Sequence, residues 1–141
     1  MRVFLTGATG YIATAVAAEL QGAGHTVLGL ARTDEGAEAL AARGVEPHRG
    51  ELADHDSLIA GAAACDGVIH TAFIHDWSDF AGNIAKDLAA VAAMITAIEG
   101  TGKPFINSNQ ATIWAALTRV RDKLAPFDPA PELGRLLHAK T

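Results

Sequence analysis

A turn with two glycines, set between a strand and a helix at the very start of the chain, constrains this sequence more than any other feature. Arg2-Val3-Phe4-Leu5 is a short run of strand formers, and Thr6-Gly7-Ala8-Thr9-Gly10-Tyr11-Ile12-Ala13 follows at once. An Ala-rich stretch with helical spacing then runs to Leu20 and stops at Gly22-Ala23-Gly24. A second apolar run, Thr26-Val27-Leu28-Gly29-Leu30-Ala31, ends in Arg32-Thr33. Strand, glycine turn, helix and strand in this order open a βαβ unit.

The glycine spacing has a physical reading. Gly7 lets the chain leave the strand sharply, where a side chain would obstruct a positive φ. Gly10 lets the backbone approach a pyrophosphate closely. Ala13 is small enough for the helix to sit tightly on the strand. The helix N-terminus then offers unpaired N–H groups and a partial positive charge to phosphates. The pattern is G-x-x-G-x-x-A rather than G-x-G-x-x-G, but it follows a strand and precedes a helix, the context in which such a turn binds a dinucleotide.

On these residues the sequence resembles the extended and atypical short-chain dehydrogenase/reductases. That group includes the NAD-dependent epimerase/dehydratases and the NAD(P)H-binding, NmrA-like proteins. Thr-Gly-Ala-Thr-Gly-Tyr-Ile-Ala matches their TGxxGxxG/A motif, and the resemblance covers residues 1–110. It implies an α/β fold, a Rossmann-like doubly wound parallel sheet of strand order 3-2-1-4-5, here truncated at its C-terminal end. It also implies a cofactor site whose first part is Gly7, Ala8, Thr9, Gly10, Tyr11 and Ile12.

Arg32 closes the second strand, beside the position of an adenosine ribose in this fold. An Asp or Glu there would bond the ribose 2′-OH of NAD, whereas an Arg can pair with the 2′-phosphate of NADP. Neither Ala31 nor Arg32 is acidic, so the expected cofactor is NADP, with NAD still open. Asp34 or Glu35 can cap the next helix, over 35–43, which Gly44 closes. Residues 45–50 read as a third strand, with Pro47 suited to a sheet edge. Glu51-Leu52 resembles the family's acidic-plus-aliphatic pair, which implies contact with the adenine.

The next helix spans 54–64, with Asp54 or Asp56 near its start. Val68-Ile69-His70-Thr71-Ala72-Phe73 is the fourth strand and its exit. The resemblance implies that Thr71, Ala72 and Phe73 line the ribose and nicotinamide side of the cofactor. His70 reads as a hydrogen-bonded structural residue rather than a catalytic base. Residues 75–80 form a polar and aromatic loop on the side where ligands bind in such folds. The longest helix spans 84–100, with Asn83 or Asp79 near its start, and its many alanines permit close packing. The resemblance implies a homodimer through this helix; packing on its own sheet is the alternative. Residues 105–108 form the fifth strand, ending at Ser108, which matches the family's substrate-orienting Ser and is the one candidate catalytic residue.

The pattern then departs from the family. Catalytic members carry a Tyr-x-x-x-Lys helix after the fifth strand, with the Lys on the same face as the Tyr. The one tyrosine here is Tyr11, in the glycine turn, and Lys123 follows Arg119, which cannot act as a general acid. Residues 1–124 read as the NAD(P)-binding domain, including a helix over 111–124. Residues 125–141 read as a Pro-rich connector and a short helix. Two functional readings stay open: an oxidoreductase acting on a small carbonyl or alcohol, and a dinucleotide-binding module or inactive family member without turnover.

Composition narrows the partners. Residues 1–110 carry 6 basic against 13 acidic side chains, so no basic footprint for nucleic acid is expected. No unbroken apolar run approaches a membrane span, and no signal segment is visible, so no membrane partner and a cytoplasmic location are expected. A lone cysteine, Cys65, excludes an internal disulfide. The six histidines show no metal-ligand spacing with acids or cysteine, so no metal is expected.

Overall fold

A computed structural model describes residues 1–73 and 77–108. Along them strands and helices alternate: β1 Arg2–Thr6, α1 Tyr11–Gly22, β2 Thr26–Ala31, α2 Asp34–Ala41, β3 Glu46–Arg49, α3 His55–Ala63, β4 Gly67–His70, a 3-10 turn Trp77–Asp79, α4 Phe80–Ile98 and β5 Phe105–Asn107. All strand pairs are parallel and the sheet order is β3-β2-β1-β4-β5, as the sequence led us to expect. The chain moves outward from β1 to β3, then returns to the other side of β1 with β4. The order therefore reverses between β1 and β4, the point at which folds of this kind form a crevice at the carboxyl ends of their strands.

β1 is central, and Val3, Phe4, Leu5 and Thr6 are all buried, which is why this strand reads as a continuous run rather than an alternating one. Alternation still sends its side chains to two different cores. Leu5 joins Ala8, Ala13, Ala17, Val27, Ala31, Leu40 and Val45 on the face that α1 and α2 cover. Phe4 joins Leu28, Leu30, Leu58, Met94 and Ile98 on the face that α3 and α4 cover. The first core is built largely from alanines, so α1 lies close to the sheet and its N-terminus is held near the end of β1. Burial in the second core pushes the Cys65 thiol up from its ordinary value.

Several boundaries differ from the sequence reading. α2 is capped by Thr33, whose Oγ1 accepts the Gly36 N–H at 3.1 Å. Asp34 and Glu35 instead occupy the first turn, where the helix dipole favours carboxylates. Asp54, not Asp56, caps α3 by accepting the Ser57 N–H at 3.1 Å. α4 begins at Phe80, capped by Asp79, and Asn83 is buried inside it. Gly82 in the first turn, a poor helix former, hid this earlier start. α4 is also long and apolar enough, by length and composition alone, to cross a bilayer. Counting unbroken apolar runs missed this because Lys86 and Asp87 interrupt the stretch. Here Ala90, Met94 and Ile98 of α4 pack in the second core. Residues 74–76, with His75 and Asp76, and everything from 109 onward, including Arg119, Lys123 and the 125–141 segment, lie outside the described residues.

Candidate functional site

The glycine turn has the geometry its spacing promised. Gly7 has φ +67, and a Cβ on it would lie 2.8 Å from the Ala72 nitrogen and 2.9 Å from its Cα. Both neighbours are backbone atoms, so only glycine fits, and the exits of β1 and β4 touch at this point. The Gly10 N–H donates to the Gly7 carbonyl at 2.8 Å and closes the turn. Gly10 is extended, with φ −80 and ψ 165, and no side chain caps α1. The first-turn amides of α1 therefore face the crevice without a side-chain acceptor, as an anion site requires. Ala13 is buried under the helix, as its size implied.

Around this turn the predicted residues divide by exposure. Thr9, Gly10, Tyr11 and Ile12 are exposed, Tyr11 almost completely at 94%. Ala8 is buried, and its carbonyl accepts from Arg43 Nη2 at 3.2 Å. Arg43 Nη1 also donates to Thr14 Oγ1 at 2.6 Å, so this guanidinium ties the turn to the chain beyond α2. Nothing in the local sequence pointed to Arg43, because its partners lie about thirty residues away.

The β1 and β4 exits are laced together. The Thr71 hydroxyl donates to the Thr6 carbonyl at 2.8 Å. His70 is 3% exposed and lies between Thr6 Oγ1, 2.7 Å from Nδ1, and Asp87 Oδ1, 3.1 Å from Nε2. In the neutral ring the Nε2–H donates to the carboxylate and the Thr6 hydroxyl donates to Nδ1, which satisfies all three groups. His70 thereby fastens α4 to the sheet, in a structural role. The half-buried Phe73 meets Phe80 edge-on, with ring centroids 6.4 Å apart. Ser108 is half-buried and follows Asn107, the register partner of His70, so it stands at the carboxyl end of β5.

At the other end of the crevice Arg32 is exposed and Ala31 buried. Arg49, which the sequence reading passed over, donates from Nη1 to the Ala31 carbonyl at 3.1 Å and lies 3.4 Å from Asp34 through Nη2. The Glu35 carboxyl is held below its ordinary value by its own backbone N–H, then by the Thr33 hydroxyl and the Arg49 charge. Glu51 is exposed beyond β3, whereas Leu52 is buried in the second core and anchors the loop. Among the described residues no three of His, Cys, Asp and Glu gather as a metal site.

Such a turn, set at the reversal of a parallel sheet, defines a dinucleotide-binding α/β domain. The model of the NAD dependent epimerase/dehydratase family matches residues 3–130, and the chain belongs to that family. A Schizosaccharomyces pombe protein described as uncharacterised is 37% identical over 137 residues, 97% of this chain and 46% of that protein. A Stigmatella aurantiaca ketoreductase, named for 4-hydroxy-2-methyl-3-oxo-4-farnesyl-3,4-dihydroquinoline-1-oxide, is 36% identical over 72 residues, 51% of this chain and 22% of that enzyme. The crystal structure of a short-chain dehydrogenase/reductase superfamily protein from Agrobacterium tumefaciens, with bound NAD, superposes with a TM-score of 0.62 at 23% identity. It covers 76% of this chain and 32% of that one, a likeness of fold. The chain thus spans about half the length of the first relative and about a third of that structure.

Proposed function

We propose that this chain carries the cofactor site of an NADP-dependent oxidoreductase, which moves hydride between the nicotinamide and a small carbonyl or alcohol substrate. One observation carries the reading: the exits of β1 and β4 meet backbone to backbone at Gly7 and Ala72, beneath a helix N-terminus with no side-chain cap. The residues present suit a dinucleotide. Gly10 and the first-turn amides of α1 hold the pyrophosphate, Arg32 and Glu51 flank the adenosine, and Thr71, Ala72 and Phe73 line the nicotinamide side. The bound nicotinamide supplies the hydride or accepts it. Ser108, at the end of β5, orients the substrate oxygen. The same reading gives the exposed apolar side of α4, with Phe80, Ile84, Leu88 and Ile95, to a second copy of the chain.

The alternative reading is dinucleotide binding without turnover. Within residues 1–141 the one tyrosine stands at the start of α1, so the proton donor of the first reading has to be found by assay. Hydride transfer to a carbonyl needs a proton donor within hydrogen-bond reach of the oxygen. Calorimetric titration of the purified chain with NADPH and NADH, followed by turnover assays, separates the two readings. Gly10→Val is expected to abolish binding of both nucleotides while the circular dichroism spectrum is kept, because its side chain fills the place of the pyrophosphate. Unchanged affinity in that variant would refute the site.

A further inference from the structure

A second guanidinium reaches the adenosine end of the crevice from a different strand. Arg49 closes β3 and is the register partner of Ala31, the last residue of β2. Along β3 the preceding residue, His48, turns to the Phe4 face, with ring centroids 5.5 Å apart. Alternation sends Arg49 to the opposite face, the one that α1 and α2 cover. There Nη1 is fixed on the Ala31 carbonyl at 3.1 Å and Nη2 points to Asp34, the first residue of α2, at 3.4 Å. The guanidinium is therefore held between the end of β2 and the start of α2. Ala31 places no carboxylate there to accept from a ribose 2′-OH, and exposed Arg32 follows it directly.

The partner of Arg49 is a weak one. Asp34 is 88% exposed and Arg49 48% exposed, so solvent screens their attraction. Glu35 also lies within the field of Arg49, and it is already engaged by its own N–H and by Thr33. A phosphate monoester brings more charge than Asp34 and accepts two parallel N–H bonds from one guanidinium.

We propose that Arg49 is a second ligand for the 2′-phosphate of the cofactor, acting with Arg32, and that Asp34 is the carboxylate it exchanges for that phosphate. This rests on the nicotinamide-dinucleotide reading above and adds the residues that make the site choose the phosphorylated form. The two side chains then have opposite effects. Arg49 raises affinity for NADPH, and Asp34 competes with the phosphate and lowers it.

The test is a set of calorimetric titrations of the full chain and of Arg49→Gln and Asp34→Asn with NADPH and NADH. Arg49→Gln is expected to weaken NADPH about tenfold, the scale of one charge-assisted hydrogen bond, with NADH within about twofold. Asp34→Asn is expected to tighten NADPH a few-fold with NADH unchanged. A merely structural salt bridge gives a different result: both variants weaken both nucleotides together, and that outcome overturns the proposal. So does an Arg49→Gln variant with unchanged NADPH affinity. Wild-type chain that binds NADH and NADPH equally overturns this inference alone, whereas folded chain that binds neither overturns the cofactor site as well.

Discussion

The two ends of the crevice are built on different physics. At the β1 and β4 end, Thr6 and His70 are 0% and 3% exposed, and the Thr6 hydroxyl, both ring nitrogens of His70 and Oδ1 of Asp87 are joined in one chain of hydrogen bonds. At the β2 and β3 end, Arg49 and Asp34 meet in solvent at 48% and 88% exposure. A buried, satisfied network holds a single geometry, because opening it strands polar groups away from water. Exposed charges hold no fixed geometry, but they attract ligands selectively and are easily re-tuned. On the proposed reading, the rigid end would fix where a dinucleotide lies and the exposed end would choose between its phosphorylated and unphosphorylated forms.

The sharpest way to break that contrast is Gly7→Val. The substitution combines a positive φ with a Cβ pressed on the Ala72 backbone, and β1 and β4 cannot move apart without breaking the ladder between them. A loss of about 2–5 kcal/mol in stability is expected from strain and overpacking together, with no nucleotide binding left. Urea denaturation and calorimetry would read both. His70→Phe comes next. Its ring can keep the stack on Phe105, now at 6.4 Å, yet Thr6 and Asp87 lose their shared partner. About 1–3 kcal/mol should be lost, and NADPH and NADH should weaken in equal proportion, since this end does not read the 2′-phosphate. A change in their ratio would mean that the two ends are not separate in function.

The smallest effect concerns Glu35, beside the exposed pair. In the folded chain its carboxyl is held below its ordinary value, by its own backbone N–H first and by the Thr33 hydroxyl next. Its contribution to stability is therefore complete above the ordinary carboxylate range and is lost as pH falls through the depressed folded value. The Glu35→Gln variant should show a slightly flatter fall of Tm between about pH 5 and 3 than the parent chain. An identical fall would show that Thr33 and the helix start do not hold this carboxylate.

Much of the fold was legible because β1 and β2 are buried on both faces. Such strands spell themselves as apolar runs, and the turn between β1 and α1 admits only certain residues. The Gly7 conformation could be read for the same reason. The cap of α2 could not, since Thr33, Asp34 and Glu35 all offer a side-chain oxygen and only the backbone path selects Thr33. Nor was the role of His70 fully visible. Its partners are 64 and 17 residues away, a separation that no local pattern reports.

The sequence by itself determined the order of the described elements, the glycine turn between β1 and α1 and the absence of a carboxylate at Ala31 and Arg32. Each follows from a restriction local to the chain: which residues tolerate a positive φ, which can be buried on both sides, which carry charge. Only the tertiary structure decided that Arg43 grips the turn, that Arg49 stands beside Asp34 at the end of β2, and that His70 joins β1 to α4. These arise from strands laid side by side, where residues distant in sequence come within hydrogen-bond reach. Distance across a sheet, unlike φ or hydrophobicity, is a property that no single residue carries.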